Sequence, residues 1–154
     1  SEMCIRDRSN KEPFVILIAE DERTDAFFVQ EAVNRMACKT ELHIVKDGQA
    51  VMDFLARTGE YAGMPRPDII LLDINMPRKN GHEVLADIKE NPAFRQIPVI
   101  MLSGSNAVRD VVKSYDLHAN AFVTKANDFS GMLRVMAAIE AFWFRSASLS
   151  QEQI

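Results

Sequence analysis

Near-continuous aliphatic runs recur along the chain, separated by stretches of helical spacing. This alternation constrains the fold more than any other feature. FVILIA (14–19), DIILLD (68–73) and IPVIMLS (97–103) contain few polar residues, and those stand at the ends. Strands of this kind are covered on both faces, as in a parallel sheet between helices. TELHIVK (40–46) alternates, so one of its faces is more exposed, and NAFVTK (120–125) is a short strand. Helical stretches fall between them at 24–37, 48–59, 82–91, 107–116 and 128–145. In the first of these, Phe27, Phe28, Val33 and Met36 stand near helical spacing. Thr24 and Asp128 are suited to N-caps, Gly59 to a helix stop and Pro92 to the end of 82–91. EYAGMPRP (60–67) is a loop long for such a connection.

Five strands alternating with five helices imply right-handed crossovers and a doubly wound α/β fold. The expected parallel order is 2-1-3-4-5, the flavodoxin-like (βα)5 arrangement. A closed eight-unit barrel needs about 250 residues, and this chain has 154. We place one domain at 13–146 and a short C-terminal tail at 147–154. The opening SEMCIRDRSNKEP lacks the apolar centre of a signal peptide. Residues 1–12 are read as a disordered lead-in or an assembly remnant, outside the fold.

Composition narrows the function. The net charge is −4, whereas phosphate-backbone binding wants a basic face, so no nucleic acid is expected. The longest apolar runs are far too short to cross a bilayer. Cys4 and Cys38 have no metal-ligand spacing, and one pair cannot supply a disulfide framework. A reducing cytoplasm is the expected location.

In open α/β sheets, ligands bind beyond the carboxyl ends of the strands, where the strand order reverses. Strand 1 runs into Glu20 and Asp21, and strand 3 ends in Asp73. Strand 4 ends in Ser103 and strand 5 in Lys125, beside the same edge. Singly, each has a plainer role as a turn former, a cap or a surface charge. Jointly, all five sit on the rim where this fold binds ligands. Three neighbouring carboxylates repel one another unless protonated or bridged by a cation. Oxygen ligands without Cys or His suit a hard ion, and Mg²⁺ is the natural choice. A metal, an ammonium and a hydroxyl around a free carboxylate make a phosphoryl-transfer site.

ILIAEDE, DIILLDINMPRKNGHEVL, IPVIMLSGS and ANAFVTKA together resemble the receiver domain of two-component response regulators, over residues 14 to 145. FLARTGEYAGMPRPD and IEAFWF further resemble single-domain receivers that partner bacterial phytochrome kinases. The resemblance implies that Asp73 is the phosphoacceptor. It implies that Glu20, Asp21 and Asp73 hold Mg²⁺, with the backbone carbonyl of Asn75 as a further ligand. Ser103 becomes the switch hydroxyl, Lys125 the partner of a phosphoryl oxygen, and Phe122 the aromatic switch residue. Gly81 supplies a permissive backbone after the acceptor loop. Phe122 could equally pack as an ordinary edge-strand residue.

Two positions depart from the family pattern. Glu20 stands where Asp is commoner. Ala126 follows Lys125 where proline is usual, with a typically cis bond. A cis bond before a residue other than proline costs about 2.5–4 kcal/mol, so a trans Lys125–Ala126 bond is expected. His43, His82 and His118 are assigned surface or packing roles, and Met132 and Met136 a core stripe.

About ten residues follow the last helix, too few for an output domain. The signal must then leave through protein contacts. Phe142, Trp143 and Phe144 are consecutive, about 100° apart on a helix. Trp143 continues the stripe Met132, Val135, Met136, Ile139, leaving Phe142 and Phe144 on opposite flanks. A homodimer through the fourth helix, fifth strand and fifth helix is expected, with one of these two at its centre. The expected function is a response regulator, not an enzyme, that accepts a phosphoryl group from a sensor histidine kinase. Two alternatives share the fold or the chemistry. An aspartate-nucleophile phosphatase wants D-x-D-x-T after its first strand, and DINMP lacks the second acid. A flavin or nucleotide binder wants a Gly- or Ser/Thr-rich loop after strand 1, where EDERTD is acidic.

Overall fold

A computed structural model describes Cys4 and residues 12–150. Five parallel strands form one sheet: β1 (Phe14–Ala19), β2 (Thr40–Val45), β3 (Ile69–Leu72), β4 (Val99–Ser103) and β5 (Ala121–Thr124). Their order is 2-1-3-4-5, as the aliphatic runs predict. The helices between and after them are α1 (Arg23–Asn34), α2 (Gly48–Ala56), α3 (Gly81–Glu90), α4 (Val108–Asp116) and α5 (Phe129–Ile139).

Alternation along each strand divides the core in two. Leu17, Ala19, Ile70, Leu72 and Met101 face Val51, Phe54, Val84, Leu85 and Ile88 of α2 and α3. Ile16, Ile18, Ile69, Leu71 and Ile100 face Val29, Val33, Met132, Met136 and Ile139 of α1 and α5. Burying apolar surface is worth about 25 cal/mol per Å², so covering both sheet faces dominates stability. The methionine stripe is core, as expected.

Helix boundaries bring corrections. Thr24 is not a cap: α1 starts at Arg23, its N-cap is Glu22, and the Glu22 side chain makes no capping hydrogen bond. Gly59 does not stop α2. Arg57 does, in a left-handed conformation (φ 58°), and Gly59 opens a 3₁₀ turn over Gly59–Tyr61. Asp128 caps α5 as expected, accepting from the Gly131 amide at 2.7 Å. At α3 a full capping box joins Asn80 and Glu83, which binds the start of this helix firmly to the loop before it.

The last helix changes winding. After Ile139 it becomes a π turn over Glu140–Phe144. An α turn would bring position 143 back onto the stripe, whereas a π turn takes one residue more. Phe144, five residues after Ile139, is therefore fully buried (0% exposed) and stacked on Phe14, with centroids 4.1 Å apart. Trp143 is half-buried and Phe142 is 57% exposed. Phe144 is thus excluded as the centre of a dimer surface.

Cys4 and Cys38 form a disulfide with Cα atoms 5.6 Å apart. This corrects the expectation of two reduced thiols. It also sets Cys4, which is buried against the α1–α5 core, apart from the reading of 1–12 as wholly outside the fold. The rest of that reading, residues 1–3 and 5–11, lies outside the described residues. Leu149, in the expected tail, packs against the same core. Among the described residues no helix is long and apolar enough to cross a membrane.

Candidate phosphoryl-transfer site

Register places the acids. Ala19 pairs with Leu72 across β1 and β3, so the next residues, Glu20 and Asp73, leave the sheet side by side. Ser103 pairs with Thr124 across β4 and β5, which sets Lys125 one residue beyond. The Lys125 amide donates to the Ser103 carbonyl at 2.6 Å, tying the two strand ends together.

Glu20, Asp21 and Asp73 each offer a carboxylate oxygen within 4.8 Å of the others. Glu20 is buried (2% exposed), Asp73 nearly so, and Asp21 open to solvent. An all-oxygen donor set converging from one side, with an open flank at Asp21, fits a hard divalent cation that keeps some of its water. Lys125 Nζ lies 2.6 Å from Glu20 Oε1, 3.1 Å from Asp73 Oδ2 and 2.9 Å from Asp25 Oδ2. Burial pushes the Lys125 ammonium down, but Glu20, Asp25 and Asp73 outweigh it and the net shift is upward. Lys125 therefore stays charged. Burial raises Glu20, and the contact with Lys125 opposes that rise.

The other expected residues stand around this group. Asn75 is exposed, and its amide donates to Asp73 Oδ1 at 3.2 Å. Ser103 is fully buried, and its Oγ accepts from the Ser105 amide at 3.2 Å. Phe122 is half-buried against the α2–α3 core, and its amide donates to the Tyr115 hydroxyl at 3.1 Å. No cis peptide bond occurs among the described residues, so Lys125–Ala126 is trans as expected. Gly81 has an ordinary φ, and the reason for glycine there is closeness. A Cβ would stand 2.2 Å from the Asp73 carbonyl oxygen, and the Gly81 amide donates to Ile74 at 2.8 Å. The left-handed residue of this loop is Arg78 (φ 69°).

Asp25 is a site residue that the sequence did not single out, since it stands beside the expected cap Thr24. An acid in the first helical turn after strand 1 was the available signal. His82 is buried, with Nε2 2.9 Å from Ser114 Oγ, which in turn donates to the Asp110 carbonyl at 2.7 Å. It links α3 to α4, so of the two roles expected for it the packing one holds.

Residues 16–137 match the response regulator receiver domain family. Over 143 residues the chain is 44% identical to the response regulator Rcp1 of Synechocystis, covering 93% of this chain and 97% of that protein. The structure resembles the phosphorylated cyanobacterial phytochrome response regulator RcpA with a TM-score of 0.86 and 41% identity, over 91% of this chain and all of that one. It resembles the Mn²⁺-bound form of Rcp1 with a TM-score of 0.84 and 43% identity, over 90% of this chain and all of that one. The chain belongs to the response regulator receiver family. It is a two-component signalling receiver and not an enzyme in the ordinary sense, which displaces the phosphatase and flavin-binder alternatives.

Proposed function

We propose that this chain is a single-domain response regulator of a phytochrome-type two-component system, phosphorylated on Asp73. The reading rests on one observation: the Asp73 carboxylate belongs to the three-acid group and also lies 3.1 Å from the Lys125 ammonium. The phosphorylated state of RcpA and the near-complete coverage of Rcp1 support it.

An Asp73 carboxylate oxygen attacks the phosphorus of a kinase phosphohistidine. A P–O bond forms, the P–N bond breaks, and its electron pair returns to the imidazole nitrogen. Lys125 orients the carboxylate and meets a phosphoryl oxygen. Water later cleaves the acyl phosphate. Glu20, Asp21, Asp73 and the Asn75 carbonyl would hold Mg²⁺, which would neutralise charge on the phosphoryl oxygens. The Mn²⁺ form of Rcp1 supports a divalent ion here.

Ser103 and Phe122 form the switch that carries the change to the face of α4, β5 and α5. Val108, Val112, Tyr115 and Phe142 are exposed large hydrophobic residues of α4 and the last turn of the chain's final helix. We assign this face to a homodimer centred on Phe142, and we place the protein in the cytoplasm on the ground of its kinase partner alone, since the Cys4–Cys38 disulfide removes the argument from reduced cysteines. Intact-mass analysis after acetyl phosphate and Mg²⁺ tests the reading. One added phosphate is expected on the wild type and none on Asp73→Ala. An unchanged adduct on the variant overturns the assignment.

A further inference from the structure

Lys125 is held by three carboxylates, and two of them belong to the group that fits a cation. Glu20 Oε1 and Asp73 Oδ2 lie 2.6 and 3.1 Å from its Nζ. Asp25 Oδ2, at 2.9 Å, lies outside that group. A divalent ion and an ammonium repel one another when they share oxygens, and the repulsion is strong in a partly dry pocket. An ion on Glu20 and Asp73 weakens both of those contacts. The contact with Asp25 is the one that survives.

We propose that Asp25 is a positioning residue for phosphoryl transfer, holding Lys125 at the rim while the cation takes Glu20 and Asp73. The inference rests on the metal reading above. Asp25 is suited to the task by its place. It stands in the first turn of α1, four residues after Asp21, and that helix is packed on the sheet through Val29 and Val33. The aspartate is therefore fixed while the long lysine side chain pivots about it. Without Asp25, Lys125 depends on Glu20 and Asp73, and every cation must displace it from both. An acid in a first turn also favours the helix dipole. That benefit does not depend on Lys125, which gives a way to separate the two roles.

The experiment is calorimetric titration of Mg²⁺ into the full chain, in a cycle of Asp25→Asn, Lys125→Gln and both together. Asp25→Asn should weaken Mg²⁺ about tenfold in the wild-type background, and Asp25→Glu should recover most of the loss. In the Lys125→Gln background the same change should cost less than about twofold. Equal losses in both backgrounds mean that Asp25 acts only through its own charge, and they overturn the proposal. So does no loss in the wild-type background. Asp25→Ala serves as a second variant, and circular dichroism without metal checks that each folds. Undiminished Mg²⁺ binding by Asp21→Asn strikes instead at the metal reading, and the role of Asp25 falls with it.

Discussion

Phe144 stacks on Phe14 with ring planes 6° from parallel, joining the last turn of the chain's final helix to the first strand. Its neighbour Phe142 points outward and meets Trp143 edge-on, centroids 4.9 Å apart. Phe144→Ala should destabilise the protein by about 3–5 kcal/mol, and Phe142→Ala by less than about 1 kcal/mol, in urea unfolding. Sedimentation should show the reverse ranking for association. If wild type and Phe142→Ala are equally monomeric at high concentration, phosphorylated or not, the proposed dimer is wrong.

Gly81→Ala should damage the acceptor loop. The new Cβ would stand 2.2 Å from the Asp73 carbonyl oxygen, so the loop must move. A loss of about 1–3 kcal/mol is expected, with slower phosphorylation of Asp73 by acetyl phosphate. Unchanged stability and rate would show that the loop yields freely.

Asp21→Asn should abolish phosphorylation without costing stability. The three acids repel one another when no cation is present, so the metal-free melting temperature should stay level or rise. A fall in that temperature would mean that Asp21 makes a structural contact of its own.

His82 makes stability depend on pH. Burial holds its pKa below the ordinary 6.5, with Lys113 pushing the same way and Asp110 opposing. The unfolded chain thus binds the proton more readily than the folded one. The contribution of His82 should be level above about pH 6.5 and should lower stability as the pH drops below it, since unfolding then takes up a proton. Urea midpoints between about pH 7.5 and pH 5 should fall more steeply for wild type than for His82→Gln. Parallel slopes would remove His82 as the cause.

Ser103→Ala should still accept phosphate on Asp73 but transmit less of the change. The hydroxyl is fully buried and bonds the amide of Ser105, in the loop leading to α4. Beryllofluoride, a stable stand-in for the phosphoryl group, should shift resonances over residues 104–124 more in the wild type than in the variant. Only a difference between the two equilibrium states can move the switch, so equal shifts would exclude Ser103.

The sequence by itself determined the order of elements, the parallel sheet and the five rim residues Glu20, Asp21, Asp73, Ser103 and Lys125. These depend on local periodicity and on the rule that βα units end their strands on one rim. Helix ends were less legible: Thr24 and Gly59 looked like signals, but Glu22 and Arg57 took those places because packing set where each helix could begin and stop. What only the tertiary structure decided is contact between residues far apart in the chain. Asp25 meets Lys125 across the sheet rim, and His82 meets Ser114 between two helices. Cys4 bonds Cys38 across 34 positions. Phe144 took the fully buried place and left Trp143 half-buried against the edge of the same core, because a π turn added one residue to the period. Local patterns carry the spacing of a regular helix or strand. They do not carry a change of winding, or the three-dimensional closeness that turns an acid in a helix's first turn into a partner for a lysine.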